Sequence, residues 1–178
     1  MYLLLLVSLI WAFSFGLIKG NLTGLDSNFV SFCRMIVSLV VFLPFLRIKK
    51  VSLKTGLKFA LIGAIQFGLM YITYIAAFKT LKAYEVALFT IFTPIYVVLI
   101  EGILQKKFQP IYLLTAVVAI IGTWIIKGAE LLSPQILYGF LLVQISNLCF
   151  AFGQIYYRKV MAIESGLKDL DIFGLLYI

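Results

Sequence analysis

Apolar runs long enough to cross a membrane fill most of this sequence. They lie at about residues 2–18, 28–46, 59–78, 86–104, 111–127 and 136–157, and a seventh begins near residue 170. A helix needs about 20 apolar residues to cross the hydrocarbon core of a bilayer, and the links between these runs are short. We therefore predict an all-α fold, a polytopic membrane helix bundle without a soluble domain.

The composition supports this prediction. Hydrophobic residues make up 63% of the chain and charged residues 12%, whereas soluble domains carry about 25% charged residues. The net charge of +8 does not indicate nucleic-acid binding, because the basic residues stand at the ends of apolar runs and form no patch. We expect the lipid bilayer as a partner and no nucleic acid.

The sequence has few of the features expected of an enzyme or of a metal-binding protein. The chain has no histidine, and its two cysteines, Cys33 and Cys149, lie inside apolar runs. It contains no HExxH, GxSxG, Walker or GxGxxG motif, and carboxylates are sparse. We predict that the protein is not an enzyme and that it holds neither a cofactor nor a metal.

The distribution of lysine and arginine predicts how the protein is oriented in the inner membrane of the cell. Short cytoplasmic loops are enriched in these residues. Ten of them follow the second, fourth and sixth runs: Arg47, Lys49, Lys50, Lys54, Lys58, Lys106, Lys107, Arg158, Lys159 and Lys168. The opposite side holds four, namely Lys19, Lys79, Lys82 and Lys127. The N-terminus is therefore predicted to be cytoplasmic.

A short sequence occurs twice. Ala12–Gly16 reads Ala-Phe-Ser-Phe-Gly, and Cys149–Gly153 reads Cys-Phe-Ala-Phe-Gly, 137 residues later. Five runs separate the starts of the first and sixth runs, so the second copy crosses the membrane in the opposite direction. This pattern is typical of inverted-topology repeats, which let secondary transporters alternate access to a midplane site. We predict repeats at 1–128 and 129–178, the second one truncated.

Candidate substrate-binding residues are polar or aromatic groups within the runs, where such groups are costly. Trp11 and Ser14 share a helical face in the first run, and Gln66, Tyr71 and Tyr74 lie in the third. For the tryptophan and the tyrosines, the alternative is an interfacial aromatic belt. Gln66 lies near the middle of its run, so that alternative does not apply to it.

Two further residues stand out. Arg34 is the only unambiguous cation within a run; it either extends to the headgroups or acts as a charge partner. Pro94 removes a backbone hydrogen bond at the centre of the fourth run and predicts a helix kink. Thr90 and Thr93 are expected to satisfy the freed carbonyls, and the kink is either mere shape or a gate.

Several motifs together resemble the EamA-type members of the drug/metabolite transporter superfamily. They are Trp11 with Ser14, Phe15 and Lys19, then Phe32-Cys33-Arg34, the run from Ala83 to Pro94, and the segment around Gly122. The resemblance implies ten helices in two inverted repeats with both termini cytoplasmic. It also implies transport of small metabolites such as amino acids, at a site between the repeats.

The chain departs from this family pattern in two places. Gln105-Lys106-Lys107 stands where the family usually has an acidic residue, and the second repeat ends in its second helix. We expect a fragment, a truncated reading frame, or a pathway completed by a second copy or by the missing C-terminal half. The leading hypothesis is a secondary transporter with a small-molecule substrate, working by alternating access; the alternative is a non-transporting truncated protein or a packing subunit.

Overall fold

A computed structural model describes residues 2–106, 110–127, 133–164 and 166–178. The predicted repeat boundary, between residues 128 and 129, lies outside the described residues, and so does Lys107. Within them the chain forms helices and no strand. Five helices are long and apolar enough to cross a membrane. The predicted all-α membrane helix bundle is therefore confirmed.

The long helices follow the predicted apolar runs one for one. They are α1 (Tyr2–Leu22), α2 (Ser27–Phe45), α3 (Leu53–Thr80), α4 (Ala83–Gln105) and α6 (Pro134–Ile163). Between the last two lies α5 (Pro110–Lys127), of 18 residues, and the chain continues into the short α7 (Asp169–Ile172) with a 3₁₀ turn at Phe173–Tyr177. Helices α3 and α6, of 28 and 30 residues, extend beyond their apolar runs.

Polar side chains begin both of these helices ahead of their apolar runs. Ser52 accepts a hydrogen bond from the Thr55 backbone N–H at 3.2 Å and begins α3 six residues before its apolar run. Ser133 caps α6 in the same way, through the N–H of Ile136 at 3.4 Å, with Pro134 in the first turn. Such caps satisfy backbone donors that the helix leaves unpaired. The charged first turn of α3 lies outside the apolar run and is helical because of its cap.

Helices α3 and α6 lie side by side and antiparallel. Near the end of α3, Leu81 packs against Gly139 at the start of α6, and at mid-helix Gln66 packs against Gly153. At the opposite end, the Thr55 hydroxyl donates to Glu164 at 2.6 Å. The residue numbers of these contacts fall along α3 as they rise along α6, so the two helices are antiparallel.

Helix α1 runs parallel to α3. Lys19 Nζ donates to the Phe78 carbonyl at 2.6 Å, and one turn earlier on both helices the rings of Phe15 and Tyr74 are 6.1 Å apart. Because α3 and α6 are antiparallel, α1 and α6 cross in opposite directions. That relation is the one predicted from the repeated Phe-x-Phe-Gly sequence.

Two separate hydrophobic clusters hold the bundle together. One lies at the α1–α2 turn end and includes Ile75, Phe78, Phe89 and Val143. The other lies at the opposite end and includes Phe59, Ile62, Val160, Ile172 and Leu176. Burial of apolar side chains in these clusters fixes both ends of α3 against α6. The middle of the bundle, between the clusters, is left less tightly filled.

The second of these ends also carries an ionic contact. Asp171 is 5% exposed, and its carboxylate pairs with Arg47 Nε and Lys50 Nζ, each at 3.3 Å. The Arg47 backbone N–H donates to the Asp171 carbonyl at 3.0 Å. The acid therefore ties α7 to the loop between α2 and α3, where basic residues are concentrated.

We expect Asp171→Asn to loosen this loop, because a neutral amide offers the two cations no opposite charge. Limited trypsin digestion of membrane vesicles open to this face should then cleave after Arg47 and Lys50 faster than in the unmodified protein. The control is Asp26→Asn, the same change in charge at the opposite end, where asparagine still caps α2. Equal cleavage rates in Asp171→Asn and the unmodified protein would contradict the assignment.

Candidate functional site

A cavity of about 890 Å³ lies between α1, α2, α3, α4 and α6, at the depth between the two hydrophobic clusters. Its volume falls in the range of roughly 300–1,000 Å³ found for small-molecule sites. The walls are mostly apolar, with a few polar groups. The lining residues are Trp11, Ser14, Phe15, Arg34, Phe67, Met70, Tyr71, Tyr74, Ala87, Leu88, Thr90, Ile91, Thr93, Pro94, Val97, Val98, Ser146, Asn147, Phe150 and Gln154.

The structure brings most of the residues selected from the sequence to this one cavity. Trp11, Ser14, Tyr71 and Tyr74 all border it, and so do Arg34 and Pro94. Both copies of the repeated sequence contribute, since Ser14 and Phe15 come from the first copy and Phe150 from the second. The cavity therefore lies between the two helices that the repeat relates.

Gln66 does not line the cavity. It is 7% exposed and faces Gly153 in the tight contact between α3 and α6. On a regular helix it would share a face with Met70 and Tyr74, which do border the cavity. The segment Ala64–Leu69 is π-helical, however, and the wider turn rotates Gln66 away from that face. Its Oε1 atom is buried without a hydrogen-bond partner among the described residues.

Arg34 turns toward the bundle interior. Its guanidinium carbon lies 4.5 Å from the centroid of the Tyr71 ring, in a cation–π contact. The side chain is half-buried and borders the cavity. Cation–π contacts favour a guanidinium over an aromatic face most strongly where water is scarce. The contact places a positive charge at the cavity wall.

Pro94 interrupts α4 in the way the sequence predicts. The segment Thr90–Phe92 is a 3₁₀ turn, and the α-helix resumes at Thr93. A proline at this position deprives the Thr90 carbonyl of its helical N–H partner. The Thr93 hydroxyl lies 2.8 Å from that carbonyl and donates to it. The irregular turn faces the cavity through Thr90, Thr93 and Pro94.

A polar network joins α4 to α6 beside the cavity, and its α6 members are absent from the predicted site residues. Asn147 Nδ2 donates to the Phe89 carbonyl at 2.9 Å. Asn147 Oδ1 lies 3.0 Å from the Thr93 hydroxyl, and the Tyr96 hydroxyl donates to Gln144 Oε1 at 3.2 Å. Asn147 is 3% exposed, so the network replaces the water that these amide groups would otherwise require.

A signal for this network was present in the sequence. Gln144, Ser146 and Asn147 lie in the middle of the sixth apolar run. The argument that selected Gln66, the cost of a polar group in the hydrocarbon core, applies equally to them. Ser146 and Asn147 border the cavity, whereas Gln66 does not.

Comparison with known proteins adds a family and named relatives. Residues 1–128 match the EamA-like transporter family. A "Biotin transporter" of Salmonella typhimurium is 39% identical over 163 residues, covering 90% of this chain and 54% of the relative. A "Probable biotin transporter" of Pseudomonas aeruginosa is 37% identical over 177 residues, covering 98% and 62%. The "Biotin transporter" of Escherichia coli is 39% identical over 163 residues, again covering 90% and 54%.

The chain spans about half the length of the curated relatives it matches. No solved structure matches it significantly.

Proposed function

Because the chain belongs to the EamA-like transporter family, we propose that it forms part of a secondary transporter that carries biotin across the cytoplasmic membrane. The observation that supports this most is the 37–39% identity to proteins named as biotin transporters, over 90% or more of this chain. The family comprises transporters, in agreement with the prediction that the protein is not an enzyme.

The cavity is the proposed substrate site. Biotin consists of a compact urea-containing double ring and a flexible chain that ends in a carboxylate. In our proposal, the Trp11, Tyr71 and Tyr74 rings contact the apolar surface of the substrate, and Ser14 offers a hydrogen bond. Aromatic side chains with one polar atom suit a ligand of this mixed character. Gln66 has no part in this site, since it packs against Gly153.

Biotin is the first substrate to test, ahead of the amino acids that the family resemblance implies. The names of the relatives favour it. A mostly apolar cavity also suits a larger, amphipathic molecule better than it suits a small zwitterion, which must exchange strong hydration at both charged ends.

We further propose alternating access between inverted repeats at 1–128 and 129–178. The opposite directions of α1 and α6 support this arrangement, because the substrate site would then lie between the repeated elements. Trp11 borders the cavity and is still 56% exposed. Helices from a C-terminal half, or from a second copy, would cover that side and complete the wall.

The orientation is proposed from the positive-inside rule. The Thr55–Glu164 and Arg47–Asp171 contacts place the loop after α2 and the end of α6 at the same face of the bundle. That face carries the concentration of basic residues, which is typical of the cytoplasmic side. The proposed location is therefore the inner membrane with a cytoplasmic N-terminus.

Uptake of radiolabelled biotin tests the function. The intact reading frame that contains this chain is expressed in biotin-requiring bacteria that lack their own transporter. We expect saturable uptake, and a reduction of about tenfold or more in Trp11→Ala, because an aromatic residue at the centre of a binding site commonly contributes this much. The control is Trp124→Ala: Trp124 is also exposed but lies on α5, away from the cavity.

Two results would contradict the proposal. Absence of biotin uptake by a protein shown to be folded and inserted would exclude biotin as the substrate. Uptake unchanged by Trp11→Ala would remove the cavity from the pathway. If the protein is instead a subunit that only packs against a partner, Trp11→Ala should change no phenotype.

A further inference from the structure

A second, smaller recess of about 380 Å³ adjoins the cavity at the α1–α2 turn end. It is bordered by Leu22, Leu25, Phe29, Val30, Cys33, Arg34, Val37, Ser38 and Tyr71. Among the described residues, Arg34 and Tyr71 are the two that border both spaces. This pair, which is joined by the cation–π contact, therefore forms the partition between the recess and the main cavity.

Among the described residues that line the cavity, Arg34 is also the one that carries a charge. The other polar lining groups are neutral: hydroxyls of serine, threonine and tyrosine, the indole of Trp11, and the amides of Asn147 and Gln154. The electrostatic character of the site therefore comes from a single positive charge, which favours an anion over a cation or a neutral ligand.

That positive charge has no carboxylate partner in the described part of the chain. The ion pairs there are those of Arg47 and Lys50, both with Asp171 at the far end of the bundle. Arg34 is the eighth residue of α2, about 10 Å from the start of the helix at 1.5 Å per residue. A cation at that depth is costly unless it has a function or a partner, and the Tyr71 ring compensates for only part of its lost hydration.

We propose that Arg34 binds the carboxylate of the transported substrate at this partition. The proposal rests on the transport function above and specifies its substrate class, an amphipathic monocarboxylate. In this proposal the Tyr71 ring contacts one face of the guanidinium, and the N–H groups at its edge bind the substrate. Those groups match the two oxygens of a carboxylate in a bidentate pair. The apolar walls around the pair strengthen this interaction by keeping water away.

This geometry assigns the two ends of the substrate. The carboxylate lies at Arg34, between the recess and the cavity. The neutral remainder extends into the main cavity, where Trp11, Ser14 and the polar residues of α6 offer apolar surface and uncharged hydrogen-bonding groups. An anion that approaches through the recess meets Arg34 before it reaches the cavity.

Binding to the purified protein from the intact reading frame tests the proposal, with two matched pairs of probes. The pairs are biotin with its neutral amide, and hexanoate with hexanamide. The unmodified protein should bind each acid more tightly than its amide. In Arg34→Gln the affinity for the acids should fall about tenfold or more, as expected for loss of a charge-assisted hydrogen bond, while the affinity for the amides stays unchanged.

Two further variants complete the test. Arg34→Lys keeps the charge without the planar fork, so its preference for the acids should lie between the values for the unmodified protein and Arg34→Gln. Lys79→Gln removes an exposed cation at the same end of the bundle and should leave the preference unchanged. This control separates a local effect of Arg34 from a general change in surface charge.

The possible outcomes distinguish this proposal from the proposed function. If the unmodified protein binds neither biotin nor its amide, biotin transport is wrong, and the hexanoate-to-hexanamide ratio alone then decides the role of Arg34. If Arg34→Gln weakens acids and amides equally, or changes neither, Arg34 has a structural role and the proposal is overturned. If Arg34→Gln does not fold, the unmodified protein still decides: equal affinity for each acid and its amide would overturn the proposal as well, because the charge of Arg34 would then be irrelevant.

Discussion

Gly153→Ala is expected to lower the melting temperature of the protein by several degrees. A Cβ atom at Gly153 would lie 2.3 Å from the Cβ atom of Gln66 and 2.5 Å from its Oε1 atom. The first contact involves an atom fixed to the α3 backbone, so rotation of the side chain does not relieve it. Forcing extra volume into a tightly packed contact commonly costs about 1–3 kcal/mol. In this protein the added methyl group would also push α3 and α6 apart, and both of these helices line the cavity.

The chain provides its own control for this variant. Gly16 is the counterpart of Gly153 in the first copy of the repeated sequence, and a Cβ atom there has no neighbour within 4 Å. Gly16→Ala should leave the melting temperature unchanged or raise it, since alanine is the better helix former. Adding Gln66→Gly to Gly153→Ala moves the small residue from α6 to α3. The double variant should recover part of the lost melting temperature. Equal stability of Gly153→Ala and the unmodified protein would show that α3 and α6 do not approach as closely as described.

Asn147→Leu is expected to destabilise the protein by about 2 kcal/mol, a typical cost of leaving a buried polar group without its partner. The leucine has a similar size but cannot donate a hydrogen bond to the Phe89 carbonyl or offer a polar atom beside the Thr93 hydroxyl. The Phe89 carbonyl also has a longer contact, 3.5 Å, with Gln144, which compensates only weakly. We expect a lower melting temperature and lower biotin uptake, because the network positions the irregular part of α4 beside the cavity.

Gln154→Leu is the matched control for this second variant. Gln154 also carries an amide on α6 and borders the cavity, but its side chain is exposed. Its replacement should therefore change the melting temperature little, whatever it does to uptake. If both variants have the stability of the unmodified protein, the Asn147 network does not hold α4 and α6 together.

The positions of the helices could be predicted from the sequence, since each apolar run corresponds to one described helix. The length of an apolar run, compared with the thickness of the bilayer, strongly constrains whether the run can cross as a helix. The short links then leave few ways to connect consecutive helices. The opposite directions of α1 and α6 were also predictable, because the number of crossings between them determines direction. These features depend on counting residues along the chain and require no knowledge of which side chains meet.

The contacts between side chains could not be predicted in the same way. Gln66 was selected by its depth, which is correct, but the π-helical turn at Ala64–Leu69 rotates it onto Gly153. Regular helical spacing carries no information about such a turn. Conversely, Asn147 has the same kind of signal as Gln66 and does border the cavity. Depth in an apolar run therefore identifies a buried polar residue but not the face on which it lies.

For Arg34 the sequence left two orientations open, toward the headgroups or toward a partner. In the structure the guanidinium lies over the Tyr71 ring, in a contact between α2 and α3, and its role as a charge partner stays a prediction. The pairing depends on how those two helices are rotated against each other, which a single sequence does not specify. For Pro94 the sequence was sufficient, because the group that satisfies the freed carbonyl is the adjacent Thr93.

The central claim is that the cavity between α1, α2, α3, α4 and α6 holds the transported substrate. Two neighbouring positions on α1 test it directly, since Ser14 borders the cavity and Phe13 is exposed on another face. In a background with Cys33→Ser and Cys149→Ser, each position is changed to cysteine in turn, and the rate of labelling by a small thiol reagent is measured with and without biotin. We expect biotin to slow labelling of Ser14→Cys and to leave Phe13→Cys unchanged. Equal labelling of Ser14→Cys with and without saturating biotin, in a protein that takes up biotin, would contradict the claim.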